Sequence, residues 1–215
     1  MDAPEKSTGL AATLKRAGFV PVVTIERAEH GPKLARALIA GGLSVIEITL
    51  RTPVALDALK AILAEVPEAW AGVGTVLSVE DFKRSQEAGA RFAVSPGFTP
   101  QLLAAAKGSA MPLLPGVTSP AEAMQAREAG FRTLKFFPAE QCGGIAALKA
   151  FHGPLPDLLF CPTGGITEAN IPDYRAQPNV VAVGAGWVTS LEDMAAGRWD
   201  KITERAKKVR AILGG

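Results

Sequence analysis

The sequence predicts an α/β protein of the (β/α)8 TIM barrel class, a single domain over residues 1–215 with an extra helix at its N-terminus. Three observations lead to that expectation. Short runs rich in Val, Ile and Phe alternate with helical stretches of roughly ten to fifteen residues, the pattern of βα units on a parallel sheet. About eight such units follow one another without a long linker, as a compact barrel requires. No GxGxxG follows the first apolar run, so the rival doubly wound open sheet lacks its dinucleotide-binding signature.

The elements follow in order. After the N-terminal helix, the first strand is expected at Phe19–Ile25 and the second at Val45–Leu50. From Pro53 to Leu63 the apolar residues recur on one helix face. Further strands are expected at Trp70–Val76, Phe92–Pro96, Pro112–Val117, Thr133–Phe137, Leu158–Thr163 and Val180–Val183. Ala88-Gly89 and Ala129-Gly130 mark helix ends, because glycine takes the left-handed conformation that stops a helix. Ser78, Thr99 and Ser119 stand where a side-chain oxygen caps the first turn of the next helix.

Composition sets the function classes aside. The chain has 215 residues, 48% hydrophobic and 20% charged, which suits one substantial core rather than a disordered chain. A formal net charge of +2, with Lys and Arg spread along the chain, points to neither a nucleic-acid nor an anionic-membrane partner. The N-terminal Met1-Asp2-Ala3-Pro4-Glu5-Lys6 lacks the apolar core of a signal peptide, and no apolar run approaches the ~20 residues that span a bilayer. A soluble cytoplasmic protein is the expectation. Cys142 and Cys161 have no CxxC spacing and suggest neither a disulfide framework nor a zinc site, only ordinary thiols.

In a barrel, the residues that do chemistry lie at the C-terminal ends of the strands. Side chains alternate faces along a strand, so Glu47, Thr49 and Arg51 share one face while Ile46, Ile48 and Leu50 share the other. Glu47 is the only acidic residue in the middle of a predicted strand. A carboxylate there can move protons and a guanidinium can hold a carboxylate in two hydrogen bonds; the alternative is an internal Glu47–Arg51 ion pair. The same alternation turns Thr133, Lys135 and Phe137 inward. Lys135 is the only lysine inside a segment that reads as a buried strand, and burial frees the neutral amine that Schiff-base chemistry uses. The alternative is a strand-end lysine reaching out to water. The three groups together suggest carbonyl chemistry on a 2-oxo acid, with the amine forming an iminium.

Glycines mark a second recognition element. Cys161-Pro162-Thr163-Gly164-Gly165-Ile166 ends the seventh strand, and Gly184, Ala185 and Gly186 lie at the end of the eighth. Glycines let backbone N–H groups approach an anion, and these two loops are where barrels commonly hold phosphate.

Six ordered blocks resemble those of the 2-keto-3-deoxy-6-phosphogluconate (KDPG) aldolase family, whose relatives include 4-hydroxy-2-oxoglutarate aldolases. They are Ile46–Thr52, Gly72–Leu77, Ala93–Gly97, Leu114–Val117, Lys135–Glu140 and Cys161–Ile166, and the likeness extends from Val20 to Trp187. The resemblance implies a class I aldolase of the Entner–Doudoroff pathway, a homotrimer of barrels that needs neither metal nor other cofactor and acts on a small 2-oxo acid sugar phosphate. It implies cleavage to pyruvate and glyceraldehyde 3-phosphate, with 4-hydroxy-2-oxoglutarate as a second substrate of some relatives. By position it makes Lys135 the Schiff-base lysine and Glu47 the acid/base. Arg51 and Thr75 become carboxylate contacts, Pro96 and Phe137 pocket walls, and Thr163 the threonine of stereochemical choice at C4. Gly164 and Gly165 match the phosphate loop.

One departure stands out. The family often has Gly-Ser-Trp where this chain has Ala185-Gly186-Trp187, so a serine hydroxyl is missing and phosphate would rely on backbone donors or water. Two rival functions use the same fold: a phosphosugar isomerase or epimerase with Lys135 as an electrostatic donor, and a non-catalytic phosphosugar-binding barrel with no nucleophile.

Overall fold

The computed structural model describes residues 3–214, with side chains from Gly9 onward. Met1, Asp2 and Gly215, included in the expected domain, lie outside the described residues. Helix α1 (Ala3–Ala17) precedes β1 (Phe19–Val23), α2 (His30–Ala40), β2 (Val45–Thr49), α3 (Ala55–Glu65), β3 (Trp70–Gly74), α4 (Val79–Glu87) and β4 (Ala93–Val94). The series continues with α5 (Pro100–Lys107), β5 (Leu113–Leu114), β6 (Gly116–Val117), α6 (Pro120–Glu128), β7 (Thr133–Phe136), α7 (Gly144–His152) and β8 (Leu159–Pro162). Then come α8 (Ile171–Arg175), β9 (Val183–Ala185), α9 (Leu191–Ala195) and α10 (Trp199–Ile212).

The strands form a curled parallel sheet in an α/β fold. Six are ordered β5-β4-β3-β2-β1-β9 and three are ordered β6-β7-β8. Pro115 divides the expected strand Pro112–Val117 into β5 and β6, because proline has no N–H for the ladder. Its carbonyl still accepts from the Lys135 N–H at 2.9 Å. A bridge between Thr163 and Gly184 links the end of β8 to β9. The last strand lies later than expected, at Val183–Ala185 rather than Val180–Val183. Small residues conceal it in the sequence, and they are required there: a Cβ on Gly184 would sit 2.4 Å from Thr163 Oγ1.

The local signals behave as their chemistry dictates. Ser78 Oγ accepts from Asp81 N–H at 3.0 Å and Thr99 Oγ1 from Leu102 N–H at 3.1 Å, while Ser119 and Glu122 form a reciprocal capping box. α3 begins at Ala55, after Pro53.

Two apolar layers hold the molecule together. The outer one packs the helices against the sheet through Phe19, Ile46, Ile48, Leu134, Phe136 and their neighbours. The inner one joins Val20, Val45, Phe92, Val94, Leu114 and Cys161, with Leu10 and Leu14 of α1 added to it. Each fully buried leucine of this kind contributes about 1.5–3 kcal/mol. Among the described residues, no helix is long and apolar enough to cross a membrane.

Candidate active site

Lys135 and Glu47 meet in the interior. Both are buried, at 5% and 3% exposure, and Lys135 Nζ stands 3.3 Å from Glu47 Oε1. Nζ also lies 5.2 Å from the centre of the Phe137 ring. β3 makes room for the carboxylate: a Cβ on Gly74 would fall 2.1 Å from Glu47 Oε1. Desolvating two charges can cost more than their attraction returns, so such a pair is weak evidence of stabilisation and a strong pointer to chemistry. Lys135 does not reach out to water, and Glu47 is bound to Lys135 rather than to Arg51. Arg51 follows the end of β2, is exposed, and donates from Nε to Thr75 Oγ1 at 3.2 Å. Thr75 has φ +59°, a left-handed conformation unusual for a β-branched residue.

A cavity of about 320 Å³ opens over Lys135; Glu47 touches Lys135 but is not among the residues that line it. Lys135, Phe137, Arg51 and Thr163 line it, together with Gly164, Gly165, Gly184, Ala185 and Gly186, so lysine, guanidinium and both glycine segments share one space. Thr75 is joined to it through Arg51. Pro96 lies at the edge of this group: its carbonyl packs against Gly116, the register partner of Lys135, where a Cβ would come within 2.2 Å of Pro96 O.

The first glycine segment is held in place from behind. Gly164 and Gly165 have φ +97° and +79°, open to glycine and strained for other residues. Glu140 N–H donates to Gly164 O at 3.1 Å, and Asn170 Nδ2 donates to Gly165 O at 3.1 Å. A Cβ on Gly165 would strike Glu140 Cγ at 2.4 Å. The buried Tyr174 hydroxyl donates to Glu140, and burial first, then that bond, raises the Tyr174 pKa above its usual value.

The sequence reading missed several neighbours. Thr24 and Thr189 line the cavity, and Thr24 Oγ1 stands 3.0 Å from Thr49 Oγ1. Thr24 had a signal: it lies two residues beyond Val22, so strand alternation carries it to the same face. Cys161 is a free, buried thiol. It is the register partner of Lys135 on β8, and burial pushes its pKa up to about 12, the Lys135 charge pulling the other way. It forms a neutral wall beside the amine. Among the described residues, no group of three or more His, Cys, Asp or Glu could hold a metal ion.

A buried amine hydrogen-bonded to a carboxylate, at the C-terminal ends of a parallel sheet and under an open cavity, defines a class of site built for carbonyl chemistry through an amine. Comparison with known proteins narrows the class. The sequence profile of the aldolase family described as KDPG and KHG aldolase matches residues 10–205. The chain is 47% identical over 196 residues to the 2-dehydro-3-deoxy-phosphogluconate aldolase of Pseudoalteromonas atlantica, covering 91% of each protein. It is 44% identical to the KHG/KDPG aldolase of Escherichia coli, covering 94% of each. The crystal structure of the Legionella pneumophila KDPG aldolase, with pyruvate captured at low pH as a covalent carbinolamine intermediate, superposes with a TM-score of 0.90 at 43% identity, over 93% of this chain and 97% of that one. The chain belongs to the KDPG and KHG aldolase family.

Proposed function

We propose that this protein cleaves 2-dehydro-3-deoxy-6-phosphogluconate to pyruvate and glyceraldehyde 3-phosphate through a Schiff base on Lys135, and that 4-hydroxy-2-oxoglutarate is a second substrate, giving pyruvate and glyoxylate. The observation that carries the reading is the buried Lys135–Glu47 contact at 3.3 Å beneath the cavity. In this mechanism the neutral Lys135 amine attacks the C2 carbonyl. Glu47, directly or through a water, assists loss of hydroxide to give the iminium. The iminium draws the electron pair as C3–C4 breaks, while Glu47 accepts the C4 hydroxyl proton. Protonation of the enamine at C3 and hydrolysis of the imine then release pyruvate.

The remaining roles are those the family resemblance implies, and the cavity lining supports the ones given to Arg51, Phe137, Thr163 and the glycine segments. Arg51, with Thr75 behind it, binds the substrate carboxylate. Phe137 and Pro96 wall the pyruvyl end, and Thr163 faces C4. Gly164, Gly165, Gly184, Ala185 and Gly186 receive the phosphate through backbone N–H groups. The scaffold in this reading is one (β/α)8 domain over residues 1–215, of the class I aldolase type. The adjacency of β5 and β6 across Pro115 and the bridge from Thr163 to Gly184 support it. The working form is a homotrimer in the cytoplasm, to be tested by mass photometry and cell fractionation.

Treatment with pyruvate and borohydride tests the chemistry. A reduced pyruvyl adduct on Lys135, seen by peptide mass spectrometry, is the expected result. An unlabelled Lys135 in a folded protein would transfer the argument to the isomerase or binding-protein readings, neither of which forms a covalent bond to the amine.

A further inference from the structure

A wall of the cavity carries a hydrogen-bond pattern that the proposed chemistry leaves unused. Thr49 is fully buried, and its Oγ1 lies 2.9 Å from the carbonyl oxygen of Val23. A carbonyl has no proton to give, so Thr49 is the donor in that bond, and a hydroxyl has only one proton. The neighbouring hydroxyl of Thr24, 3.0 Å away, must therefore donate to Thr49. Thr24 thus turns toward the cavity, which it lines, with its proton committed and its lone pairs free to accept.

Strand order fixes where along a substrate those lone pairs act. β1 lies between β9 and β2, so Thr24 stands between the segment 184–186 on one side and Glu47 and Arg51 on the other. A sugar acid phosphate reaching from Arg51 to the glycine segments passes its carbon chain across Thr24. Its carboxylate, C2, C4 hydroxyl and phosphate meet other groups of the site. The hydroxyl on the carbon between C4 and the phosphate-bearing carbon is left without one. We infer that Thr24 is a specificity-determining residue that accepts a hydrogen bond from this hydroxyl, so that the enzyme selects phosphorylated aldehydes hydroxylated next to the carbonyl over their deoxy analogues. The inference rests on the reading given under Proposed function. It adds a recognition element outside the segment where Gly186 stands in place of a serine.

The test is aldol addition of pyruvate to D-glyceraldehyde 3-phosphate and to 3-phosphooxypropanal, an aldehyde of equal length without the hydroxyl. The wild type is expected to favour the hydroxylated aldehyde by about tenfold in kcat/KM, the size of one neutral hydrogen bond. Thr24→Val should bring the ratio close to one, and Thr24→Ser should keep it. A wild-type ratio near one overturns the inference without any variant. So does a Thr24→Val loss that falls equally on both aldehydes, which would mark Thr24 as a structural partner of Thr49 only. Pyruvate trapping on Lys135 in the wild type separates the two levels: a missing adduct removes the aldolase reading, whereas an adduct with an unchanged Thr24→Val ratio removes only the role of Thr24.

Discussion

Val45 and Glu47 lie two residues apart on β2 and face the same interior, yet they belong to opposite ends of it. Toward the strand N-termini the inner face carries Val20, Val45 and Phe92, in one apolar cluster with Leu10 and Leu14 of α1. Toward the C-termini it is Glu47, Lys135, Thr49 and Thr163, all buried. The first end gains stability from apolar burial. The second gives some of it up, since an ion pair out of water is at best close to neutral for folding. A single strand can carry both because its period of two keeps every second residue inside while the residue type changes along its length. The consequence is a division of labour that variants can break.

Lys135→Ala should have the largest effect on turnover. Without the nucleophile no iminium forms, and cleavage should fall by at least about 10³-fold while the far-UV circular dichroism remains that of the wild type. Substantial residual turnover would remove Lys135 from the chemistry and reduce the polar end to a structural ion pair.

Glu47→Gln follows, with a loss of about 10²–10⁴-fold in kcat, the range for removal of a general acid/base. The same pair also tests the division by stability. Replacing both partners with apolar groups, Glu47→Leu with Lys135→Met, should yield an inactive protein at least as stable as the wild type in urea unfolding. A double variant several kcal/mol less stable would show that the polar end supports the fold after all.

Much of this division was legible in the sequence, and what escaped has physical reasons. Alternation alone brought Glu47 and Lys135 to one face, and the structure joins them at 3.3 Å. Arg51 lies past the end of β2 at Thr49 and still lines the cavity with Lys135, its guanidinium bonded to Thr75 rather than to Glu47. The glycine segments could be found because strained turns restrict the residue types that fit. β9 was harder, since Gly184 and Ala185 carry no strand signal, and Gly184 must stay small because a Cβ there would meet Thr163 Oγ1 at 2.4 Å. Thr24, unlike Thr49, was obscured in another way. Threonine is an ordinary strand residue, and what gives Thr24 its polarity is a partner 25 residues away whose own proton is committed to Val23.

Leu14→Ala examines the apolar end by itself. Truncating a fully buried leucine should cost about 2–5 kcal/mol in urea unfolding, with kcat/KM within a factor of two of the wild type, roughly 0.4 kcal/mol. Leu14 is 1% exposed and packs in the inner cluster away from the cavity lining. A parallel fall in kcat/KM would mean that the two ends are coupled and that the division drawn above is wrong.

The smallest effect is expected at Cys161, which belongs to both ends. It packs with the apolar inner cluster and is also the register partner of Lys135. Its folded pKa is raised from 9.0 to about 12, with burial the largest cause. The unfolded chain therefore releases the thiol proton first as pH rises, and between those values the folded state binds more protons. The contribution is fully present below pH 9.0 and is lost as pH climbs toward about 12. Wild-type stability should accordingly fall more steeply with alkaline pH than that of Cys161→Ala, once the difference between the two at pH 7 is subtracted. Equal slopes would mean that the thiol is ionised or solvated in the folded protein, and the wall beside Lys135 would then be polar on that side as well.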